Sequence, residues 1–112
     1  MTVSRQDLNV ASEFSTTPGP RKRSEAEFSG QAFLEELLRP RFLSARKNAS
    51  ILHVNLDGAA GYPTSFLEEA FGGLAREFGA KEVLAWITIS SHDEPYLVDD
   101  IQRYIKDAAP RP

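Results

Sequence analysis

Cysteine is absent from the 112 residues, and methionine and tryptophan occur once each. Without thiols there are no disulfides and no thiolate metal ligands. The two histidines, His53 and His92, are too few nitrogen donors for a structural zinc site. No stretch approaches the roughly 18 apolar residues that a membrane span requires, and the opening MTVSRQDLNV has no apolar signal core. The chain is therefore expected in the cytoplasm. Neither the Walker pattern nor GxGxxG occurs, so neither common phosphate-binding loop is available. No metal and no cofactor is expected.

The chain does hold enough apolar content (41%, with 26% charged residues) for one compact domain. That domain spans residues 1–112, with its core between about 7 and 107 and a frayed tail over 108–112. A core of this size is modest, so pairing with a second copy or another protein fits the composition. The net charge of −3 is uneven: residues 20–47 hold seven Lys or Arg against four Glu, and the remainder six against twelve acids. The basic excess includes Arg21, Lys22 and Arg23 in a proline-glycine loop. Its bland reading is a solvated loop; its functional reading is contact with an anion or an acidic partner. A negative total charge and no interleaved aromatics argue against nucleic acid.

Leu8, Val10, Ser12 and Phe14 alternate with Asn9, Ala11 and Glu13, which predicts a half-buried strand. Thr17, Pro18, Gly19 and Pro20 end it. Residues 21–28 are either loop or a short return strand. Ser29 is placed to cap a helix whose stripe is Phe33, Leu34, Leu37 and Leu38. Pro40 predicts a kink or a fresh start, continuing to about Lys47 and stopping at Asn48. Ile51–Asp57 reads as a strand with Leu52, Val54 and Leu56 on one face and His53, Asn55 and Asp57 on the other. Val83–Ser90, apolar on both faces, reads as a strand covered on both sides. A last helix starts near Pro95 and carries Leu97, Ile101, Tyr104 and Ile105. Alternating strands and helices predict an α/β fold: a mixed or largely parallel sheet of three to four strands, joined by right-handed crossovers and packed with helices.

The clearest helix lies between those two later strands. Leu67, Ala70, Phe71, Leu74, Ala75 and Phe78 form its buried stripe, and Gly79 its stop. Ser65 followed by Glu68 reads as a capping box, with Pro63 stiffening the approach. A helix start also offers amide donors and partial positive charge to an anion or a phosphate. Gly72 and Gly73 each cost roughly 1 kcal/mol against alanine in a helix. Close packing on the sheet, or contact with a partner, would repay that cost. Adjacent Glu68 and Glu69 point about 100° apart on a helix, which disfavours acid–base chemistry at one atom. His53 and His92 read as polar surface and turn residues.

The segment DGAAGYPTSFLEEAFGGL, with the upstream TPGPRKR and FSGQAFLEELL, resembles a bacterial STAS-like family described as a domain of unknown function. The resemblance runs over roughly residues 8–107. It implies distant kinship with the STAS domains of anti-sigma-factor antagonists. In those, a Ser or Thr at a helix start after a central strand is phosphorylated by a histidine-kinase-like ATPase, which switches binding off. By position Thr64 and Ser65 match the serine pair, and Ser65 the usual acceptor. Pro63 stands where those domains commonly carry an acid, and residues 29–47 add an early helix. The resemblance therefore implies a non-enzymatic interaction domain with Ser65 and Thr64 as phosphoacceptors. Its partner surface would comprise Tyr62, Pro63, Glu68, Glu69, Gly72 and Gly73. A nucleotide or small-anion sensor using Arg21, Lys22 and Arg23 is the second reading, and a small hydrolase the third.

Overall fold

The computed structural model describes residues 4–108, so most of the expected frayed tail lies outside the described residues. Three parallel strands, β1 (Ser4–Asn9), β2 (Ser50–Asn55) and β3 (Ile87–Ser90), form one sheet in the order β1-β2-β3. Leu8 pairs with Val54, which pairs in turn with Ile89; Leu52 pairs with Ile87. Because side chains alternate, these residues share one face. Leu8, Leu52, Val54 and Ile87 are buried there, whereas Arg5, Asp7 and Thr88 on the opposite face are exposed and His53 is half-buried. Helices cover one side of the sheet. The polar face expected of β2 is present: the two ring nitrogens of His53 bond Thr88 Oγ1 at 2.6 Å and Ser90 Oγ at 2.9 Å.

Two expected strands are shorter than their apolar patterns. The first ends at Asn9, whose side chain accepts the Ser12 N–H at 2.8 Å and so starts a helical turn, Val10–Glu13. Val10 and Phe14 are four residues apart, so the spacing that fits a strand also fits this turn. The expected strand Val83–Ser90 is helix as far as Trp86 (Ala80–Trp86), and only Ile87–Ser90 is strand. Thr88 is exposed, so that strand is not covered on both sides. Val83 and Ile87 are buried one helical turn apart, and a short apolar run suits either structure.

Residues 30–47 form one unbroken helical run with no fresh start at Pro40. Ser29 Oγ accepts the Ala32 N–H at 3.0 Å, as its capping role requires. Gly30–Phe33 leads into a π-helical stretch, Leu34–Leu38, and then Arg39–Lys47, so Pro40 sits in the first turn of the last segment. The run stops at Asn48, followed by Ala49 at a positive φ of 53°. Residues 21–28 are loop and turn rather than a return strand.

The central helix, 64–78, is built the same way: Thr64–Leu67, a π-helical stretch Glu68–Gly72, then Gly73–Phe78. Gly79, at φ 93°, separates it from Ala80–Trp86. The final helix, Tyr96–Asp107, buries Leu97, Ile101 and Ile105 as its spacing predicts. Phe33, Phe42, Phe66, Phe71, Leu74 and Ile101 are among the fully buried side chains that fill the space between helices and sheet. No helix among the described residues is long and apolar enough to cross a membrane.

Candidate functional site at the start of the central helix

Two close contacts set where the central helix begins. A Cβ on Gly30 would lie 2.6 Å from the Phe66 carbonyl oxygen and 3.0 Å from Phe66 Cα, so the starts of the two long helices touch through backbone. Around this contact Phe33 stacks on Phe66 at 5.7 Å, Phe14 meets both rings, and Tyr62 lies 6.0 Å from Phe66. Tyr62 also donates its hydroxyl to the Leu56 carbonyl at 2.8 Å, which ties the approach segment to the end of β2. Burial, reinforced by Asp57, Glu94 and Asp93, pushes that hydroxyl far above its ordinary range, so it remains a donor.

The helix then starts at Thr64 from an extended Pro63, whose carbonyl accepts the N–H groups of Phe66 at 3.1 Å and Leu67 at 3.3 Å. Pro63 and Thr64 are exposed and Ser65 is half-buried. The expected capping box does not form: Pro63 is the capping residue, and among the described residues no side chain caps this start. Ser65 lies inside the first turn, two positions past the capping residue. Glu68 is engaged elsewhere.

That engagement joins two segments far apart in sequence. Arg21 Nη1 donates to Glu68 Oε1 at 2.5 Å and to Glu69 Oε1 at 3.1 Å; Lys22 Nζ reaches Glu69 Oε2 at 3.4 Å. From within the helix, Arg76 Nη1 donates to Glu68 Oε2 at 2.6 Å. Three cations thus meet two carboxylates. Despite their divergent helical positions, Glu68 and Glu69 do converge, at the Arg21 nitrogen. The hydrogen bond from Arg76, then that from Arg21, holds the Glu68 carboxyl below the usual carboxylate range. The same contacts raise the Arg21 guanidinium, first through Glu68. A carboxylate held ionised in this way is suited to ion pairing rather than to proton donation.

The remaining candidates fall into place around this clamp. Arg23 pairs with Glu35 and Glu36, each at 2.8 Å. All three basic loop residues pair with carboxylates of this chain, and each side chain remains partly exposed. Gly72 and Gly73 are buried. A Cβ on Gly73 would meet Leu34 Cδ2 at 2.8 Å, so its packing partner is the helix 30–47 rather than the sheet. A Cβ on Gly72 would meet Glu68 Oε2 at 2.5 Å, so that glycine makes room for the Glu68 carboxylate on its way to Arg76.

Three contributors lie outside the sequence-predicted set. Gly30 and Arg76 are described above. Asp57 is the third: its Oδ1 accepts the N–H groups of His92 at 2.7 Å and Asp93 at 2.8 Å, bracing the loop after β3 against the loop after β2. His92 is a turn residue, as expected, whereas Asp57 lies in the turn after β2, because the strand expected to reach Asp57 ends at Asn55.

A family model described as a STAS-like domain of unknown function matches residues 29–97. The match begins at the capping Ser29 and takes in the whole central helix, while the basic loop 21–23 precedes it. No curated protein and no solved structure matches the chain.

Proposed function

This chain belongs to the family of STAS-like domains of unknown function, and from that premise we propose that it is a non-enzymatic regulatory interaction domain. Its partner surface is the start of the central helix, and a phosphate on Ser65, with Thr64 as second acceptor, controls it. A histidine-kinase-like ATPase supplies the phosphate. The observation that carries this reading is the state of the two hydroxyl residues. Thr64 and Ser65 lie in the first helical turn, exposed and half-buried, and neither is used as a cap.

The clamp supplies a mechanism. Residues three and four positions apart on a helix are surface neighbours, so Ser65 lies one turn from Glu68 and Glu69 and from the cations they hold. A phosphoryl group brings about −1.5 to −2 charges and three strong acceptors, and the helix start favours negative charge. It competes with Glu68 and Glu69 for Arg21 and Lys22. The loop 21–28 re-seats while the core stays intact, and the surface formed by Tyr62, Pro63 and Thr64 changes charge. Partner contact is lost by repulsion and desolvation rather than by unfolding.

Incubation of the purified chain with ATP and a candidate ATPase, followed by peptide mass spectrometry, tests the assignment. The expected result is phosphate on Ser65, shifting to Thr64 in Ser65→Ala. Phosphate confined to other positions would remove the proposal's basis.

A further inference from the structure

The two edges of the sheet differ in their fitness to accept another strand. β1 carries Arg5 and Asp7, exposed and paired at 2.8 Å, and charge on an edge discourages strand addition. β3 is Ile-Thr-Ile-Ser, with no charge and no proline, and three of its four residues are β-branched. Nothing in its composition guards that edge.

The backbone shows which groups are on offer. The Ser90 carbonyl faces β2, where it accepts the Leu56 N–H at 2.9 Å. Backbone groups alternate in direction along a strand, so Thr88 also faces β2 and Ile87 and Ile89 turn outward. The Ile87 N–H is spent on the Val83 carbonyl. The Ile87 carbonyl and both polar groups of Ile89 therefore point to an edge where no strand among the described residues lies. Beside it, on the helix-covered face, is a hollow of about 340 Å³ lined by Leu84, Ile87, Thr88, Ile89, Gln102 and Ile105.

We infer that β3 pairs with β3 of a second copy of this chain, antiparallel about a two-fold axis, making one continuous six-stranded sheet. A second copy fits better than an unrelated strand because the edge is complementary to itself. Isologous pairing keeps the buried and exposed faces aligned only when residues of equal parity stand opposite each other. Centring on Ile89 meets this condition. The two Ile89 residues exchange both their hydrogen bonds, and each Ser91 N–H reaches an Ile87 carbonyl of the other copy. The spent Ile87 N–H is not needed, and each Ile89 side chain projects over the other copy's hollow. In this register Thr88 stands opposite Ser90 of the other copy in a non-hydrogen-bonded pair. Such a pair has a Cα separation of about 4.5 Å, within disulfide range. The inference is independent of the reading of the helix start.

The chain's lack of cysteine makes the register directly testable. Sedimentation of the full chain is expected to show a dimer, and Ile89→Lys a monomer with unchanged circular dichroism. Thr88→Cys and Ser90→Cys, oxidised separately, are expected to stay uncrosslinked; mixed before oxidation, they form a covalent heterodimer. If Ile89→Lys fails to fold, the mixing experiment alone decides. A chain that is monomeric at its highest soluble concentration overturns the inference, including the case in which it pairs through β3 with a different protein. So does a dimer in which the mixed cysteine variants do not crosslink.

Discussion

Replacing Gly30 with alanine should destabilise the domain even though alanine is the better helix former. Relief of glycine's flexibility in the unfolded chain stabilises by about 0.4–1 kcal/mol where the new side chain fits. Here it does not fit. The added carbon would lie 2.6 Å from the Phe66 carbonyl oxygen, 3.0 Å from Phe66 Cα and 3.1 Å from Glu69 Cβ. The first two are backbone atoms of the central helix, which cannot swing aside as the end of a side chain can. Overpacking of this kind costs roughly 1–3 kcal/mol, and the rigid neighbours put Gly30 toward the upper end. The expected net loss is about 1–2 kcal/mol, or roughly 3–10 °C in Tm for a domain of this size. Urea unfolding followed by the fluorescence of Trp86, the single tryptophan, measures it. Gly61→Ala is the control, because nothing lies within 4 Å of its added carbon and its φ is not positive. It should be neutral or slightly stabilising. A Gly30→Ala protein as stable as the wild type, beside a well-behaved Gly61→Ala, would refute the helix contact that positions Thr64 and Ser65.

Glu68→Gln should lower stability at neutral pH and cease to matter in acid. The Glu68 carboxyl titrates below its ordinary value when folded, so its contribution is complete above about pH 4.3 and disappears as pH falls through the lower folded value. Urea midpoints of both proteins across that range should converge on the acid side; a constant gap would contradict the ion-pair account. Asn9→Ala removes the cap of the turn Val10–Glu13 and the Asn9 Nδ2 bond to the Asp57 carbonyl at 3.3 Å. A loss of about 1–2 kcal/mol in the same assay is expected.

What was legible in the sequence was whatever local chemistry specifies. Ser29 caps, Leu52, Val54 and Leu56 alternate, and Leu97, Ile101 and Ile105 repeat at helical spacing, each without distant help. Errors arose where one pattern served two structures. Val83 to Trp86 could be strand or helix until its flanks were packed, and Ser65 with Glu68 had the spacing of a capping box although Pro63 had already taken the capping position. The clamp left only an indirect trace. Arg21 and Glu68 are 47 residues apart, and no periodicity connects them. The basic excess of residues 20–47 against an acidic remainder was its visible sign. Gly30 was silent for the same reason, because the need for glycine comes from Phe66.

The central claim is that charge at Ser65 governs partner binding while the fold is unaffected. Calorimetric titration of the histidine-kinase-like ATPase encoded nearest to this gene, against wild type, Ser65→Ala and Ser65→Asp, tests it most directly. Wild type and Ser65→Ala should bind alike, and Ser65→Asp should bind at least about tenfold more weakly, a difference of about 1.4 kcal/mol, with an unchanged urea midpoint. Equal binding by all three proteins would contradict the claim.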